Sequence, residues 1–117
     1  MKKKFFVYDI SKGFSSFIKH YYAEKMEIHI CTKKKNLTNY KMSSYDLCFF
    51  SVNDIEDFMF LRNTDFENDF FFINAPNKII NEKISNMNYN NAVLFEFDSN
   101  KKVILDKINF SLKLLNT

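Results

Sequence analysis

Residues 45–51 read Tyr-Asp-Leu-Cys-Phe-Phe-Ser: two polar-capable residues, four apolar residues in succession, then a serine. An unbroken apolar run closed by a small polar residue predicts a strand covered on both faces, with its last residue exposed at an edge. Working outward, "KKFFVYDI" (3–10), "DFFFINA" (69–75) and "NAVLFEF" (91–97) have the same character, and "EIHIC" (27–31) runs apolar or alternates. Helical periodicity lies between them. Phe14, Phe17, Ile18 and Tyr21 fall at i, i+3, i+4 and i+7 of a first helix. Residues 32–44, rich in Lys, Asn and Ser, leave room for a short or irregular helix. In "NDIE" (53–56), Asn53 caps a third helix while Glu56 reaches back, and Ile55, Phe58 and Met59 form its buried stripe. Pro76 suits the opening of a fourth helix lined by Ile80, Ile84 and Met87. A last helix runs from Ser99 to about residue 115.

Five strands alternating with helical segments, several strands apolar throughout, predict a parallel sheet between two helical layers. Right-handed crossovers make that a doubly wound three-layer α/β/α sandwich of the flavodoxin-like kind. At 117 residues the chain is one domain, 1–117, without repeats or linkers.

Composition narrows the function classes. With 46% hydrophobic and 26% charged residues the chain is globular, and its fifteen Phe and six Tyr predict a core built from rings. A net charge of +3 is too weak to point to nucleic acid, and the clusters Lys2–Lys4 and Lys33–Lys35 read as solvated surface. The start is too short in apolar residues for a signal peptide, and no stretch approaches the roughly 20 residues of a membrane span, so the expected location is the cytoplasm. Cys31 and Cys48 match no zinc spacing and read as small buried hydrophobes, and His20 and His29 as structural residues. Gly13 is the only glycine, so no Gly-rich phosphate loop follows the first strand.

The order of elements, with "YDLCFFS" as third strand, "FFVYDIS" as first, "FFFINA" as fourth and "NAVLFEF" as fifth, resembles the receiver domain of bacterial response regulators along essentially the whole chain. The resemblance implies strand order 2-1-3-4-5. In that order the two cysteines lie two strand spacings apart, roughly 9–10 Å, beyond disulfide reach, which predicts free thiols.

The same resemblance implies a phosphotransfer site, and this chain departs from it position by position. Ser51 stands where the family has its phosphoacceptor aspartate, and a hydroxyl is a poor nucleophile without an activating base. Of the family's acidic pair Asp9 remains and Ile10 replaces its neighbour, which leaves one acid where Mg²⁺ needs several carboxylate oxygens. Asn74 replaces the hydroxyl residue and Glu96 the lysine, reversing the charge offered to a phosphoryl oxygen. The Lys-Pro step becomes Glu96–Phe97, and Val93 takes the place of the aromatic switch. Other readings make Ser51 the target of a serine kinase, or Asp9 and Glu96 a two-carboxylate metal site, against which two acids can equally be solvated or paired with Lys12.

On a wheel of the last helix Leu105, Ile108, Leu112 and Leu115 form the core face with Ile104 at its border, while Val103, Phe110 and Leu114 point outward as a partner surface. In receivers this side of the fold is the usual dimerisation or docking face. The expectation is therefore a degenerate receiver-like domain, not an enzyme and without cofactor or metal. It acts as a protein-interaction module in bacterial regulation, by homodimerisation or by docking a partner through its last helix. The alternatives are a nucleic-acid-associated domain using the Lys clusters, and a flavodoxin-like domain with a small ligand.

Overall fold

A computed structural model describes residues 2–63, 71–87, 92–96 and 99–115. The elements run β1 (Lys4–Tyr8), α1 (Gly13–Tyr22), β2 (Glu27–Cys31), two 3₁₀ turns (Lys34–Asn39 and Met42–Ser44), β3 (Leu47–Ser51), α2 (Ile55–Arg62), β4 (Phe71–Asn74), α3 (Lys78–Ser85), β5 (Ala92–Phe95) and α4 (Lys101–Leu115). The five strands form one parallel sheet in the order β2-β1-β3-β4-β5. The expected flavodoxin-like α/β architecture is therefore the observed one. Residues 69–70, 91 and 97, assigned from sequence to strand ends, lie outside the described residues.

Alternation along the strands divides the core in two. Phe6, Tyr8, Cys48, Phe50, Phe71 and Ile73 face the layer that includes Leu61 of α2 and Ile80 and Ile84 of α3. Phe5, Val7, Leu47, Phe49, Phe72 and Phe95 face Phe14, Ile18 and Tyr22 of α1 and Ile104, Ile108 and Leu112 of α4. Rings cross the second face in a row. Phe5 lies against Phe49 with centroids 5.2 Å apart, Phe49 and Phe72 stack at 4.9 Å, and Phe72 and Phe95 stack at 5.6 Å. β3 is buried along its whole length, and Cys31 and Cys48 are free, buried thiols on the two strands flanking β1. Burial pushes the Cys48 thiol up to about 12.

The helices sit in registers slightly different from those expected. In α1 Tyr22, not Tyr21, is buried, its hydroxyl donating to Asn109 Oδ1 at 2.8 Å. α2 is capped by Asp54, whose side chain accepts from the Asp57 N–H, and not by Asn53. That one-residue shift turns the helix by about 100°, so Ile55 and Met59 are exposed while Asp57 and Leu61 are buried. Asn77 caps α3 through the N–H groups of Ile79 and Ile80, so Pro76 precedes the cap and does not open the helix. In α4 Ile104 lies inside the core with Ile108 and Leu112, whereas Leu105 and Leu115 are half-buried.

This register makes a measurable difference. Ile104→Ala is expected to lower stability by about 2–5 kcal/mol in urea unfolding, and Leu105→Ala by clearly less. The reverse ranking would restore the wheel read from sequence.

Candidate functional site at the carboxyl ends of the strands

Asp9, just past β1, and Ser51 and Asn74, the last residues of β3 and β4, lie at the carboxyl edge of the sheet, as parallel topology requires. Asp9, Ser51 and Asn74 follow the alternation of Phe5 and Val7, Phe49, and Phe72, and so point toward the layer of α1 and α4. Each is engaged. Asp9 is completely buried, accepting from the Ser11 hydroxyl at 2.7 Å and from the Ser15 N–H at 2.9 Å, while its own N–H donates to the Cys31 carbonyl. Ser15 lies in the first turn of α1, so the carboxylate acts as a cap reaching over from the strand, where the helix dipole favours a negative charge. Lys12, with φ 69°, makes the left-handed bend into that turn. Gly13, beside it, is not the residue in the left-handed region.

Ser51 and Asn74 are paired in register, and the Asn74 amide donates to the Ser51 hydroxyl at 3.2 Å. Ser51 is buried, and the Asn74 carbonyl accepts from the Val52 N–H at 2.7 Å. Glu96 is exposed one residue beyond β5, and Ile10 is exposed in the loop after β1. The structure thus brings Asp9, Ser51 and Asn74 to one face, and leaves Ile10 and Glu96 outside the buried set.

The Mg²⁺ that the resemblance implies does not fit these residues. A hard cation of that size takes carboxylate oxygens in near-octahedral geometry. Here the one carboxylate of the buried strand-end cluster, Asp9, already holds a helix terminus, and its two companions, Asn74 and Ser51, offer an amide and a hydroxyl bonded to each other. No group of three or more His, Cys, Asp or Glu suited to a metal occurs among the described residues.

A second polar cluster, which sequence reasoning missed, lies on the opposite face of β1. The Tyr8 hydroxyl donates to Asp57 Oδ1 at 2.6 Å, and the Asn53 N–H to Asp57 Oδ2 at 3.0 Å. Lys34 stands over this pair, its Nζ 2.8 Å from Asp54, 2.9 Å from Glu56 and 3.7 Å from Asp57. A cleft of about 250 Å³ opens there, floored by Tyr8 and Phe60. Burial and the neighbouring carboxylate push the Tyr8 phenol well above its ordinary range, and the carboxylates hold Lys34 protonated. Lys34, hydrogen-bonded to Asp54, holds that carboxyl below its usual range. One lysine of the second basic cluster is therefore bound within the chain. Asn81 of α3 is a further missed residue: its buried amide donates to the carbonyls of Phe95 (2.9 Å) and Ala75 (3.2 Å), tying together the chain just after β4 and the end of β5. No signal in the sequence separates it from a solvated helix asparagine.

Outside both clusters, Val103, Phe110 and Leu114 are exposed along α4, Phe110 at 64%. A shallow hollow of about 310 Å³ beside Phe110 is lined also by Val93, Asp106, Lys107 and Ser111. Among the described residues, no helix is long and apolar enough to cross a membrane.

No family model matches the chain, and no curated protein matches it. Among solved structures, a chain described as the yeast Spc42 trimeric coiled coil, amino acids 181–211, fused to another solved structure superposes with a TM-score of 0.57. The match has 12% identity and covers 99% of this chain and 83% of that one. At that identity the likeness is one of fold.

Two outcomes follow for the clusters. Asp9→Ala is expected to cost about 1–2 kcal/mol in urea unfolding, and Asp9→Asn less, because a carbonyl acceptor remains for Ser15. Equal losses would mean that the cap contributes little. Asp54, depressed in the folded state, adds stability that is complete above its unfolded value near pH 4 and is lost as pH falls through the lower folded value. Lys34→Met should flatten that acid limb of stability against pH. An unchanged limb would show that the ion pair does not set it.

Proposed function

We propose that the chain is a degenerate receiver-like domain that takes no phosphoryl group and binds no Mg²⁺ at the carboxyl ends of its strands, and that it works as a protein-interaction module in bacterial regulation. The observation that carries this reading is the closure of the strand-end site on itself. A phosphoacceptor needs a carboxylate that can be approached by a metal and by a phosphoryl donor. The position carries a buried hydroxyl already bonded to Asn74, and the surviving acid caps α1. A site that holds its partners internally offers its neighbours one fixed conformation, so binding through the module is constitutive. The polar strand ends then serve the fold, and the reading takes the outer face of α4, where three large apolar residues of one helix are exposed, as the interaction surface.

The reading includes a cytoplasmic location and no catalytic activity. Lys34, engaged by Asp54 and Glu56, is poorly placed to hold a nucleic-acid phosphate, which weighs against the alternative built on the Lys clusters.

Titration with Mg²⁺ and beryllofluoride, followed by amide chemical shifts, tests it. The reading predicts no saturable shifts at Asp9, Ser51 or Asn74. Saturating, localised shifts at those residues would overturn it.

A further inference from the structure

The cleft over Tyr8 joins an aromatic floor to charge of one sign. It lies at the carboxyl end of β1, between the 3₁₀ turn that follows β2 and the start of α2, at the edge where open parallel sheets bind their ligands. The Tyr8 and Phe60 rings, with centroids 6.3 Å apart, and the buried Leu37 give it an apolar surface, and its polar groups are few. Concave, largely apolar walls with a small number of charged groups are the make-up of a small-molecule site. We propose that this cleft binds a small organic ammonium ion, a primary amine carried on a flat apolar body. The rings take the body and Glu56 takes the charge, with Asp57 adding its field from a buried position. The site is separate from the strand-end cluster and from the outer face of α4.

Charge selects the cation. Three carboxylates, Asp54, Glu56 and Asp57, surround the one ammonium of Lys34, three negative charges against one positive, which leaves −2 in a chain whose net charge is +3. Lys33 and Lys35 are exposed and do not line the cleft. An anion finds no donor on Lys34, because an ammonium has three N–H groups and here they go to Asp54 Oδ1 at 3.0 Å, Asp54 Oδ2 at 2.8 Å and Glu56 Oε2 at 2.9 Å.

Lys34 also shows that the place suits an alkylammonium, since it is one, held at the cleft by carboxylates. Glu56 is the partner free to turn toward a ligand. Its side chain is 74% exposed, whereas that of Asp57 is 1% exposed and fixed by the Tyr8 hydroxyl and the Asn53 N–H. An incoming ammonium takes Glu56 while Lys34 keeps Asp54, and a cation beside the faces of Tyr8 and Phe60 gains further attraction from the rings. At about 250 Å³ the cleft is smaller than the pockets of drug-sized ligands, which limits the apolar body to roughly one ring.

Amide chemical shifts of the full chain, titrated at fixed pH with phenethylamine, phenylethanol and phenylacetate, test the site with one ring in three charge states. The amine is expected to give saturable shifts at Lys34, Thr38, Glu56 and Phe60 with a Kd on the order of 1 mM. The neutral alcohol should bind roughly two- to fivefold more weakly, and the acid more weakly still. Glu56→Gln, at an exposed side chain, should bring the amine down to the affinity of the alcohol and leave the alcohol unchanged. No saturable shift with the amine up to roughly 20 mM, an acid that binds as well as the amine, or an amine affinity unaltered by Glu56→Gln overturns the site. The inert-site reading fails separately, through Mg²⁺-dependent shifts at Asp9, Ser51 and Asn74.

Discussion

The structure turns on a single carboxylate. Asp9 directly follows β1, the strand from which the chain departs toward α1, and it fastens that helix by accepting the Ser15 N–H from a completely buried position. A buried acid without partners is costly, and here the helix terminus and the Ser11 hydroxyl satisfy it. The same bonds that make Asp9 tolerable in the core withdraw it from metal chemistry.

The rest of the strand-end layer follows the same economy. Ser51 and Asn74 hold each other, Asn81 gathers the chain after β4 and the end of β5, and no buried side-chain nitrogen or oxygen among the described residues lacks a hydrogen-bond partner. Beneath them the stacked rings of Phe49, Phe72 and Phe95 fix the spacing of three strands on one face. On the other face the Tyr8–Asp57 bond admits a charged residue to the interior, with Lys34 neutralising it from the 3₁₀ turn. The polar groups thus act as fasteners between layers, and exposed apolar residues remain on the outer faces of α2, α3 and α4.

The sheet was legible in the sequence because parallel strands buried on both faces must be apolar nearly throughout, and "LCFF" and "FFVY" leave little choice. Convergence of Asp9, Ser51 and Asn74 followed from strand ends alone. Helix registers were less legible for a local reason. Asn53 and Asp54 are both competent caps, and choosing the wrong one rotates α2 by about 100°, exchanging Met59 for Asp57 in the core. Tyr21 and Tyr22, and Ile104 and Leu105, are adjacent pairs of similar character, so periodicity could not rank them. The Tyr8–Asp57–Lys34 cluster joins residues up to 49 positions apart, and in sequence each has an ordinary reading: a core ring, a solvated helix acid and a loop lysine.

Amide hydrogen exchange at Ser15, with and without millimolar Mg²⁺, shows whether Asp9 is held by the helix. If Asp9 is committed to the first turn of α1, the Ser15 amide is protected and the protection is unchanged by the cation. Loss of protection on adding Mg²⁺ would mean that the carboxylate can leave the helix for a metal, and that Asp9 is not committed to the first turn of α1.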